Sequence, residues 1–124
     1  MANDQKRAII LLKALIFHYH GMDTQEKEIL ESYVDKLEAS EAYRWAIDFI
    51  SEDYLSAFDR SREFLSKVLD EWTKEERLSQ LMQTWDDNHR KGYITEMEMT
   101  AMINLAKDWG IERPFMEEIQ KINR

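Results

Sequence analysis

The 124-residue chain contains no cysteine, three glycines and one proline, and it has no long apolar run. Without cysteine there are no disulfides, no thiolate metal sites and no cysteine nucleophile. So little glycine and proline leaves scant material for hairpins, glycine-rich phosphate loops or disordered linkers. The longest apolar stretch, Ala8 to Phe17, is interrupted by Lys13 and is too short to span a bilayer. It carries no small-residue cleavage site, so it does not read as a signal peptide, and a cytoplasmic location is expected. Basic residues are in the minority, 17 against 25 acidic, for a formal charge of −8. A surface of that sign repels phosphates, which argues against nucleic acid and anionic membranes, and with so short an apolar run no membrane insertion is expected.

What is present is helical periodicity. Apolar residues recur at three-four spacing almost throughout, and no stretch alternates as a half-buried strand does. The length suits one domain, residues 1–124, able to bury about two-thirds of its extended surface. The pattern predicts an all-α bundle of six or seven helices. The first is expected over Asp4 to Tyr19. Its apolar side chains cover nearly the whole circumference, which places it in the middle of the domain. A second helix starts at Asp23, which caps while Glu26 reaches back, and buries Ile29, Leu30, Tyr33, Val34 and Leu37. Ser40 reads as the next cap. Ser51 reads as the opening of a long helix to Trp72 with Leu55, Phe58, Leu65, Leu69 and Trp72 on its buried stripe. Thr73 with Glu76, and Thr95 with Glu98, have the spacing of capping boxes. Gly110 suits a left-handed helix stop, and Pro114 suits the first turn of a last short helix.

Two hinge segments echo each other. Gly21, Met22, Asp23 and Glu26 lie between the first two helices, and Gly92, Ile94, Thr95 and Glu98 lie between two late ones. Each reads as a glycine that ends a helix, an apolar plug, a cap and a glutamate. Ancestral duplication and generic hinge chemistry both account for the echo. With these residues, and the tail Ile103 to Ile119 around Gly110, the chain resembles the TerB-like family, named after tellurite-resistance proteins. That family carries two acidic helix–turn–helix segments of the form Asp-Gly-x-(Ile/Val)-(Ser/Thr/Asp)-x-x-Glu. The resemblance implies a compact helical bundle, a setting in bacterial stress or tellurite resistance, and acidic hinges associated with divalent cations. The residue before glycine, Asp in the family, is His20 in the first copy and Lys91 in the second.

The late hinge also resembles a degenerate EF-hand loop. Asp87 stands first, Gly92 sixth, Ile94 eighth, Thr95 ninth and Glu98 twelfth, while His89 and Lys91 occupy the third and fifth places, where oxygen ligands belong. Asp87 and Glu98, with Asp23 and Glu26 in the first copy, are therefore the candidate metal ligands, for calcium, magnesium or manganese. The same carboxylates serve equally as helix caps. His18 and His20 are two apart and point in different directions, so they make no ready zinc pair. The serines sit in helical or capping contexts with no base nearby in the sequence pattern, so no enzyme is expected. Met97, Met99 and Met102, with Trp85 and Trp109, read either as core filler or as a soft groove for a partner's helix. The combined expectation is a non-enzymatic binding or scaffold module with a protein partner, a second copy of the chain included. The alternative is a divalent-cation-binding domain, and no other cofactor is expected.

Overall fold

The computed structural model describes residues 3–18, 24–90 and 92–122. Seven helices follow one another: α1 (Asn3–Phe17), α2 (Thr24–Leu37), α3 (Ser40–Glu52), α4 (Ala57–Leu69), α5 (Lys74–His89), α6 (Glu96–Asp108) and α7 (Glu112–Ile122). No strand occurs among the described residues. None of these helices is long and apolar enough to cross a membrane.

Helix α1 is the hub. Ten consecutive residues, Ala8 through Phe17, are buried, as expected for a helix apolar on every side. It packs most extensively on α3 and α4, and it also touches α2, α5 and α6. The last helix, α7, closes the far side by packing on α5 and α6. Burying Ile10, Leu11, Leu12, Ile16 and Phe17 contributes about 1.5–3 kcal/mol each relative to exposure. An aromatic cluster of Trp45, Phe49 and Phe64 covers the α3–α4 side, with ring centroids 4.8–6.2 Å apart.

Local chemistry sets most of the helix ends. Both late capping boxes form: Thr73 accepts from the Glu76 amide and Thr95 from the Glu98 amide, while each glutamate returns to its cap's N–H. Gly110, with φ +70°, ends α6 in a Schellman closure, Ile111 N–H to Ala106 O at 2.9 Å and Gly110 N–H to Lys107 O at 3.2 Å. Pro114 sits in the first turn of α7. Helix α2 ends in the same closure, Ala39 N–H to Val34 O at 2.9 Å and Glu38 N–H to Asp35 O at 3.3 Å. There the left-handed position is held by Glu38, with φ +50°.

Two expectations are corrected. Ser40 is the first residue of α3 and not its cap; the cap position falls to Ala39, whose side chain has no acceptor to offer. The long helix from Ser51 to Trp72 is two helices, because Ser51 belongs to the end of α3 and α4 starts at Ala57. Asp53 breaks the chain: its carboxylate accepts from the Leu55 amide at 3.1 Å and from the Ser56 hydroxyl at 2.9 Å, which competes with helical bonding. Arg60 then closes the end of α3 by donating to the carbonyls of Phe49 and Asp53, both at 2.8 Å. In consequence Leu55 is not part of a buried stripe; it stands on the corner, 98% exposed.

Candidate functional site

The late hinge places its carboxylates by two different routes. Glu98 is drawn in by the capping box, its Oε1 accepting from the Thr95 amide at 2.9 Å, and is fully buried at the start of α6. Asp87 lies within α5 and faces α1, where Lys13 Nζ is 3.6 Å from its Oδ2 and the Tyr33 hydroxyl donates to its Oδ1 at 3.3 Å. Arg90 reaches the same Oδ1 at 3.9 Å. Asp87 is thus committed to a buried cation and is not displayed along a loop. Among the described residues no group of three or more His, Asp or Glu side chains is placed to hold a metal ion. In the first hinge Glu26 is buried in the opening turn of α2, while Asp23 and His20 lie outside the described residues. His18 stacks edge-on to Tyr54 at 6.4 Å, and His89 stacks on Trp85 at 6.2 Å. Burial holds the His18 imidazole below its ordinary value and so favours its neutral form.

Lys13 is a buried group that the sequence reading used only as a break in an apolar run. It is fully buried, donates to Gln83 Oε1 at 2.9 Å and lies 4.2 Å from the centre of the Tyr33 ring. Burial lowers its pKa to about 8, partly offset by Asp87. Burial also raises Asp87, against the pull of Lys13, and burial together with Asp87 pushes Tyr33 up to about 12. Both partners of the ion pair are shifted toward their neutral forms by the same cause, removal from water. No substrate reaches an amine enclosed on every side, so the cluster ties α1 to α2 and α5. An ammonium in the middle of an all-apolar helix needs a buried acceptor, and that requirement was the available signal.

The methionine and tryptophan set does not form an open groove. Met102, Trp85 and Trp109 are core residues, Met99 is half-buried, and only Met97 stands out, 61% exposed. Trp85 faces α7, edge-on to Phe115 at 6.4 Å. Open apolar ground lies instead between α4 and α6. A hollow of about 390 Å³ there is lined by Phe58, Met97, Thr100, Ala101 and Asn104, with Glu96 at its edge. A second hollow of about 180 Å³, under the α3–α4 corner, shares Phe58 and adds Leu15, Ile50, Ala57 and Tyr54, beside His18. Tyr54, 68% exposed, stands at this second hollow, and Leu55 follows it on the exposed corner. Sequence reasoning missed the surface because one continuous helix would have turned Leu55 inward. Compared with known proteins, the chain matches no protein-family model and has no significant match to a curated protein or to a solved structure.

Proposed function

We propose that this chain is a non-enzymatic docking module of the TerB-like kind, which receives a helix of a partner protein over Phe58. The observation that carries this reading is the placement of Tyr54 and Met97. Two of the five large hydrophobic side chains exposed among the described residues line the hollows that share Phe58, Met97 the one between α4 and α6 and Tyr54 the one under the corner. A cleft with an apolar floor and aromatic edges is how a helix is received, through anchors one turn apart. The buried polar groups support a non-catalytic role. Asp87 neutralises Lys13, and Glu98 completes a cap, so both carboxylates have structural work. The TerB-like hinge pattern favours the same class of module, in the cytoplasm of a bacterium under stress.

Selection from a library of helical peptides, followed by chemical-shift mapping of the binders, tests the reading. Shifts centred on Tyr54, Phe58, Met97 and Thr100 are expected. Binders that map consistently to another face would remove it.

A further inference from the structure

Lys13 and Asp87 meet in an arrangement that can do more than hold opposite charges together. The amine is fully buried and the carboxyl nearly so, with Nζ 3.6 Å from Oδ2. The two carboxyl oxygens have different surroundings. Oδ1 accepts from the Tyr33 hydroxyl at 3.3 Å and has the Arg90 guanidinium 3.9 Å away. Oδ2 is buried, has no hydrogen-bond partner, and faces the Lys13 amine. The amine is steadied in turn by Gln83 Oε1 and by the face of the Tyr33 ring. Burial moves the amine's value down to about 8 and the carboxyl's upward. The uncharged pair, in which the ammonium has handed its proton to the carboxylate, is therefore far more accessible here than in water.

We propose that the Lys13 amine and the Asp87 carboxyl condense to an amide, a covalent bolt between α1 and α5. A proton passes from the ammonium to Oδ2. The freed Nζ lone pair attacks Cγ, and the carbonyl electron pair moves onto Oδ1, where Tyr33 and Arg90 stand as donors. As that pair returns, the Cγ–Oδ2 bond breaks, and the Oδ2 hydroxyl takes a proton from nitrogen and leaves as water. Nothing is oxidised or reduced, and no other reactant enters. In water the same two groups are ionised and rarely meet. Here the fold replaces the encounter by a fixed contact, and the product leaves neither charge in the interior. Chains that have not closed the bond carry the ion pair.

The full chain, purified and kept warm over several days, is weighed by intact-mass spectrometry. The expected result is loss of the mass of one water, with fragmentation that joins the peptide around Lys13 to the peptide around Asp87. The closed chain is also expected to run faster than the open one in denaturing electrophoresis, because the bond rings off more than half of its length. Tyr33→Phe should slow closure on the order of a hundredfold, since it removes a donor to the developing oxyanion. Asp87→Asn should lose ammonia in place of water, because the carboxamide then supplies the leaving group. Lys13→Met with Asp87→Leu, in which both charges go together, should keep its full mass while remaining helical by circular dichroism.

An unchanged mass after incubation overturns the proposal. So does a loss of water that persists in the double variant, or one that fragmentation places within a single peptide, as closure of an aspartate on its own backbone would. Closure at an equal rate in Tyr33→Phe removes the role given to Tyr33, and the mechanism with it.

Discussion

A buried lysine facing a buried aspartate sets the strongest single-residue expectations. The folded value of Lys13, about 8, lies below its ordinary value of 10.5. Between those two pH values the unfolded chain therefore holds more protons, and the Lys13 contribution to stability rises with pH. From pH 7 to 9.5 the gain is on the order of 2 kcal/mol, and urea titrations of Lys13→Met should lack it. Removing only the acid is worse than removing both charges. Asp87→Leu strands the ammonium and should cost about 3–5 kcal/mol, whereas Lys13→Met with Asp87→Leu should recover most of that loss. Because Asp87 is already engaged by Lys13 and Tyr33, titration with calcium, magnesium, manganese or zinc should leave the melting temperature unchanged. A rise abolished by Glu98→Gln would instead favour the cation-binding alternative. Glu38 offers an independent case. It occupies a left-handed position that costs a residue with a Cβ about 1–2 kcal/mol, so Glu38→Gly should raise stability, by less than that because glycine also loosens the unfolded chain.

At the scale of the elements, the ends of the helices depend on arginine as much as on caps. Arg77, on α5, donates to the carbonyl of Leu69 at 2.9 Å and to that of Trp109 at 3.0 Å, and so binds the ends of α4 and α6 to a third helix. Arg77→Met should cost about 2 kcal/mol in denaturation experiments, and Arg77→Lys should not restore it, because one ammonium cannot reproduce the planar fork. One contact crosses the turn between α4 and α5 and the other joins residues 32 apart, so neither falls within the two- or three-residue spacing of a cap, and the sequence left both unread. Capping residues act on amides two or three positions away, so Thr73, Thr95 and Gly110 were legible from spacing alone. The α3–α4 corner shows the limit of the same reasoning. Apolar spacing runs straight through Asp53, and only the hydrogen bonds its carboxylate makes to Leu55 and Ser56 reveal that the helix stops. The partner of Lys13 was hidden likewise: charge in the middle of α1 demands an acceptor, but several acids were available, and the packing of α5 and α2 on α1 decides which one meets it.

The whole molecule follows from α1 being apolar on every side. Its circumference of isoleucine and leucine left no stable place but the centre, and that much was plain from periodicity. Which surface remains open was not, since exposure belongs to the packed assembly and not to any one helix. Leu55→Ser should therefore leave the melting temperature within the range of a neutral surface change, about ±0.5 kcal/mol, despite removing a leucine. The same central helix has a consequence for biosynthesis. Emerging from the ribosome ahead of α3 and α4, which supply its principal cover, it must wait for later segments before it is shielded. During that interval a nascent chain offers chaperones a sticky, greasy rod, and any slowing of translation through α3 and α4 lengthens the hazard of clumping.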